Sequence, residues 1–157
     1  MRRIVLLLAA LILAGSMVQI QAQTLKGCKL SANKFDPNST SNQFGRCGSP
    51  YSADSINNKF GKFGSPFSPY SVNNPYARRA PKIVSADGTY LGRKSANQFD
   101  PDSTSNKFGV HGSQFSPTSI NNPFGRYGSK FSPESANNPF ANDAPKLKED
   151  DSLGTQR

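Results

Sequence analysis

Few residues in this chain could do chemistry. Serine recurs throughout, but a nucleophilic hydroxyl needs a base within hydrogen-bond reach, and the chain holds one histidine, His111. No pair of carboxylates recurs that could divide the acid and base roles. Asp36 and Asn38, matched downstream by Asp100 and Asp102, make an oxygen-rich loop. They fall short of the about six to eight oxygens that calcium takes, and neither an EF-hand loop nor a glycine-rich nonapeptide surrounds them. Helix capping and turn formation explain them more simply. Two cysteines and one histidine do not complete the four-ligand set of a structural zinc site. The expectation is a protein that is not an enzyme, with no catalytic residues, no metal and no cofactor.

A pair of thiols and a charge pattern remain, and both are read against the repeats that carry them. Cut into equal lengths from Ser31, the chain gives six units of sixteen positions in one register: 31–46, 47–62, 63–78, 95–110, 111–126 and 127–142. A spacer, 79–94, has the length of one more unit, so the larger repeat is three units and a spacer. Between 31–78 and 95–142, 31 of 48 positions are identical, which makes the whole block the more recent duplication. Cys28 and Cys47 are the only cysteines, and their equivalents one larger repeat downstream are Gly92 and His111. Both thiols are missing together, as a bonded pair would be, and a Cys28–Cys47 disulfide is expected. Arg46, Lys62, Arg78 and Arg126 share position sixteen of their units. A regular stack would align them into one basic stripe, to which anionic polymers are drawn by an attraction that weakens with salt.

Each unit reads locally as a short helical turn. Position five is aromatic in all six units, and so is position fourteen. Position six is Asp or Ser, both good N-caps, and position seven is proline in every unit but that of Ala53, as favoured at a first helical residue. Positions five and ten then fall where a hydrophobic staple forms, pairing Phe35 with Thr40 and Tyr51 with Ile56. Asn at position twelve, followed by proline in three units, ends the turn. In the spacer, Ile83-Val84, Asp87-Gly88 and Tyr90-Leu91 read as a short hairpin.

Around the repeats, Arg2 and Arg3 precede an apolar run, Ile4 to Ala14, and Ala22 offers a cleavage site before Gln23. The first 22 residues are therefore expected to be a signal peptide, with the mature chain exported to the periplasm or secreted. Without Arg2 and Arg3 the formal charge of +9 falls to +7. Leu, Ile, Val and Phe make up only about 16% of that mature chain, below the roughly 20% at which disorder becomes a serious expectation.

The unit GSP-aromatic-S-P-x-S-x-N-N-P-aromatic-G, clearest at 64–77 and 112–125, resembles a tandem repeat of uncharacterised exported bacterial proteins. The segment Asp87 to Ser103 looks like the one that introduces such repeats. The resemblance implies no activity, ligand or site residue.

The expected fold is a mostly irregular, turn-rich tandem repeat with short helical turns and one hairpin, or else a largely disordered chain. Its order is signal peptide (1–22), N-terminal segment (23–30), repeat block 1 (31–78), spacer hairpin (79–94), repeat block 2 (95–142) and polar tail (143–157). The expected role is structural or binding, in the cell envelope, toward an envelope polymer or another envelope protein. The alternative is a disordered basic segment that binds anionic surface polymer or nucleic acid.

Overall fold

The computed structural model describes residues 23–151. The expected signal peptide lies outside the described residues. Within them there is no helix, which corrects the reading of each unit as a helical turn. Nor is the chain largely disordered: its units are ordered by hydrogen bonds rather than by a large apolar core.

The reason is a side-chain oxygen at nearly every third residue. In the second unit, positions three, six, nine, twelve and fifteen are Ser49, Ser52, Ser55, Asn58 and Gly61. Each carbonyl accepts from the backbone N–H of the next corner: Ser52 donates to Ser49, Ser55 to Ser52, Asn58 to Ser55 and Gly61 to Asn58. An α-helix would require the N–H four residues on. That pattern is cut off because each corner side chain captures the N–H two residues ahead. Tyr51 N–H donates to Ser49 Oγ, Asp54 to Ser52 Oγ, Asn57 to Ser55 Oγ and Phe60 to Asn58 Oδ1, at 2.9–3.4 Å. Ser and Asn favour such local bonds over helix propagation. The unit is therefore a chain of successive β-turns.

Units stack through position eleven. Asn57 Nδ2 donates to Thr40 O of the preceding unit (2.9 Å) and to Gly48 O of its own (2.8 Å). Asn121 does the same toward Thr104 O and Gly112 O, at 2.8 and 3.0 Å. Where no unit precedes, the residue is Ser41 or Ser105, whose hydroxyl donates instead to Ser31 O or Ser95 O at 2.6 Å. Position two shows the same logic. A Cβ on Gly48, Gly64, Gly112 or Gly128 would run into the position-twelve carbonyl of the unit before, whereas the first units of the blocks carry Ala32 and Ala96.

The expected staple does not form. Position ten is buried in every unit, but it stacks on its counterparts and on position one, not on the aromatic at position five. Ile56, Val72, Ile120 and Ala136 join Cys47, Phe63 and Tyr127 in one apolar cluster with Leu25, Cys28, Ile83, Leu91 and Leu147.

The last four of these sit in or beside a three-stranded antiparallel sheet of order β2-β1-β3, with β1 Lys82–Val84, β2 Tyr90–Arg93 and β3 Lys146–Lys148. β1 and β3 are the equivalent exits of the two blocks, and Ile83 lies opposite Leu147, its own counterpart. Equivalent residues paired antiparallel are what a two-fold axis requires. The flanks obey the same axis: Lys82 pairs with Arg93, and their counterparts Lys146 and Lys29 also pair. The exit strand of each block thus pairs with the lead-in of the other. Asp150, buried beyond β3, binds Lys82 (2.8 Å) and Arg93 (2.6 Å), tying all three strands together.

The expected disulfide is present, joining Cys28 in the lead-in segment to Cys47 in the second unit. At the matching place in block 2, Gly92 has φ +97°, and a Cβ there would collide with His111. The imidazole of His111 and the ring of Tyr90 form a T-shaped pair, centroids 5.2 Å apart.

Candidate functional site

The aromatic residues that count most in the sequence are all outside. The twelve rings at positions five and fourteen are 87–100% exposed. Each is two residues past a corner, and each has its own backbone N–H held by that corner's side chain. At position five the acceptors are Asn33, Ser49, Ser65, Asn97, Ser113 and Ser129, at 2.8–3.3 Å. At position fourteen they are the six Asn of position twelve, at 2.9–3.0 Å. The position-twelve amides also donate backward to the position-six carbonyls of their units, at 2.9–3.2 Å. The turn is locked on both sides, and the ring is left pointing outward.

These rings do not satisfy one another. Among the described residues the one ring–ring contact is that of Tyr90 with His111. Soluble monomers rarely expose contiguous apolar patches beyond a few hundred Å². Each fully covered aromatic side chain is worth about 150–250 Å², so every one of these rings leaves a large apolar area open to solvent. Phe35 and Phe44 line one recess together with Lys34, Ser41, Asn42 and Gln43. Another recess runs between Pro123, Lys130, Phe131 and Asn137, and a third brings Tyr76 beside Phe99, from different blocks.

The four cations at position sixteen are placed differently from one another. Arg46 pairs with Asp54 (2.9 Å) and donates to Thr24 O and Lys26 O, strapping the lead-in segment to the second unit. Lys62 pairs with Glu149 (3.1 Å) and lies over the rings of Phe63 and Tyr70. Arg126 is held by Glu134, reaches Asp87 at 3.5 Å and lies over Tyr127. Arg78 is exposed beside a recess that also holds Arg93, Asp100 and Asp102. Three of the four are thus engaged with carboxylates, and the structure does not gather them into one free stripe.

Four further cations without a carboxylate partner lie beside the aromatic rings. Lys34, Lys59, Lys107 and Lys130 immediately precede Phe35, Phe60, Phe108 and Phe131, and all four are exposed. The signal was available: positions four and thirteen hold only Lys, Gln or Pro in every unit, so no carboxylate adjoins an aromatic on its N-terminal side. Asp36, by contrast, accepts from Lys29 Nζ (2.9 Å) and from the backbone N–H of Asn38, and these bonds hold its carboxyl below the ordinary range.

Among the described residues no group of three or more His, Cys, Asp and Glu side chains could hold a metal ion, and no helix is long and apolar enough to cross a membrane. The disulfide is compatible with an oxidising, exported location. Compared with protein-family models, with curated proteins and with solved structures, the chain matches none.

Proposed function

We propose that this is an exported, non-catalytic binding protein of the cell envelope that holds an extended polymer on its aromatic rows. The observation that carries the reading is the exposure of all twelve rings on turns whose backbone is fixed by side-chain hydrogen bonds. A rigid array loses little conformational freedom on binding, and aromatic faces add much contact area for few rotatable bonds. Export rests on Arg2, Arg3 and the apolar run that follows them, and is supported by the disulfide. The non-catalytic assignment rests on the lone histidine and the lack of recurring carboxylate pairs. The resemblance to tandem-repeat proteins exported by bacteria belongs to the same reading.

Two experiments test it. Residues 1–22 fused to a reporter active only outside the cytoplasm should give activity; a silent fusion rejects export. Electrophoresis of residues 23–157 through gels cast with purified cell-wall polysaccharide should show retardation. Replacing Phe35, Phe44, Phe60 and Phe67 with Ala should relieve much of it; full retention by that variant rejects the aromatic rows as the binding surface.

A further inference from the structure

The same surface says what kind of polymer fits. Resting on the polymer-binding reading, we infer that the recesses beside the exposed rings are subsites for an acidic polysaccharide. Three features support this, and they meet in the recess of Lys130, Phe131 and Asn137.

The first is charge. The lysines beside the rings, Lys34, Lys59, Lys107 and Lys130, are exposed and have no carboxylate partner among the described residues. The position-sixteen cations are largely spent on internal ion pairs. These four lysines place positive charge along the aromatic rows, where it complements an anionic ligand.

The second is a line of hydrogen-bond acceptors. Asn57, Asn73, Asn121 and Asn137 use their Nδ2 groups to bridge one unit to the next. Both donors of each amide are thereby consumed. These residues are exposed, and no group among the described residues donates to their Oδ1 atoms. A recess walled by Phe131 and Lys130 contains Asn137. Sugar hydroxyls can donate to such carbonyls in place of water, while the C–H faces of the sugar ring suit the aromatic walls.

The third is repetition. Each unit presents an aromatic ring at the same two positions and, from the second unit of a block onward, the same acceptor. A polymer whose every residue offers the same hydroxyls matches that array. A single-stranded polynucleotide also repeats its base faces and phosphates, and it is the alternative that the oligothymidylate probe below tests. A bilayer would bury the Asn carbonyls against hydrocarbon without a donor, which is costly.

The experiment uses residues 23–157 and measures affinity by calorimetry for four probes: polygalacturonate, its fully methyl-esterified form, a thirty-residue oligothymidylate and inorganic polyphosphate. Polygalacturonate should bind about tenfold or more tightly than its ester, an advantage that shrinks as salt is raised. The quadruple variant K34Q/K59Q/K107Q/K130Q should lose that advantage while still binding the ester, and the corresponding Lys→Arg variant should keep it. Circular dichroism checks that each variant folds. Equal affinity for acid and ester, or an advantage that survives Lys→Gln, overturns the acidic-ligand inference and leaves polymer binding standing. Tighter binding of the oligonucleotide or of polyphosphate than of polygalacturonate overturns it in favour of nucleic acid or of charge alone. Binding by none of the probes, or binding unchanged when Phe35, Phe44, Phe60 and Phe67 become Ala, overturns the polymer reading as well.

Discussion

Block 1 and block 2 are the same scaffold secured in two ways. In block 1 the lead-in segment is bonded covalently to the second unit through Cys28 and Cys47, and Arg46 straps it a second time. In block 2 the same junction is held by the close fit of Gly92 against His111 and by the T-shaped contact of His111 with Tyr90. That fit leaves His111 Nδ1 buried without a partner. Leu30, packed on the shared apolar cluster, is replaced in block 2 by Lys94, which has no carboxylate beside it and whose pKa burial lowers. The lesson is a division of labour. What repeats is the turn ladder and the outward aromatic; what varies is the lead-in, where an open end of each stack must be closed.

The largest effect should come from removing the covalent closure. C28S/C47S opens a loop with a sequence separation of 19, and should cost about 3 kcal/mol in denaturant unfolding. Reductant should do the same to the natural chain and nothing to the variant. If the variant unfolds at the same denaturant concentration, the block 1 lead-in is held by its hydrogen bonds alone.

Next comes the bridge between units. Asn121→Ala removes both bonds to Thr104 O and Gly112 O and should cost about 1–3 kcal/mol. Asn57→Ala removes the equivalent pair in block 1, but Cys47 still ties that unit to the lead-in. Hydrogen exchange should therefore show a wider local opening for Asn121→Ala than for Asn57→Ala. Equal protection in the two variants would break the comparison.

Lys94→Leu, which copies Leu30, should stabilise the protein by about 1 kcal/mol near neutral pH. The folded pKa of Lys94 lies below its ordinary value of 10.5, so the unfolded chain binds more protons between the two values and natural stability rises with pH there. The gain from Leu should accordingly shrink as the pH approaches that ordinary value. A gain independent of pH would show that the ammonium is fully solvated.

The smallest effect is on acid tolerance. Asp36 is held below its ordinary value of 3.8 by its bond from Lys29. Glu149 is pulled both ways: burial raises its pKa, but bonds from Lys62, the Leu25 N–H and Thr24 outweigh this and leave it below 4.5. Both groups serve block 1. Their contribution is complete above those ordinary values and is lost as the pH falls through the folded ones. Asp87, in the hairpin that precedes block 2, is lowered to about 2 by Ser85 and then Thr89, so its contacts persist to lower pH. Amide protection around Lys29 and Lys62 should fade on acidification before that around Thr89. The reverse order would count against these pairings.

The disulfide is legible in the sequence because duplication provides its own control: both cysteines vanish together in the second block. The helical turn is a misreading because Ser, Asp and Asn serve equally at an N-cap and at a β-turn corner. The distinguishing sign is their return every third residue, at Ser49, Ser52, Ser55 and Asn58, a spacing that restarts the turn before a helix can propagate. The staple fails for the same reason, since without a helix positions five and ten share no face. Stacking has a readable signature in Ala32 and Ala96 where later units have glycine, and in Ser41 and Ser105 where later units have Asn. The pairing of β1 with β3 is not legible, because it joins segments a whole block apart and depends on a two-fold relation that no local pattern expresses. The partner of Lys62 is hidden likewise, for Glu149 lies beyond the repeats, whereas Asp54 and Glu134 share position eight of their units, each eight residues after Arg46 or Arg126, and that spacing is readable in the sequence.

The central claim is that the aromatic rows face solvent and are free to bind. Its most direct test is thermal unfolding of the quadruple variant in which Phe44, Phe60, Phe108 and Phe124, among the most exposed rings, are replaced by Ala. Surface substitutions of this kind change stability by about 0.5 kcal/mol or less each, whereas core Phe→Ala costs roughly 3–5 kcal/mol each. The expected result is a Tm within a few degrees of that of the natural chain. Loss of the folded state would contradict the claim and place those rings inside.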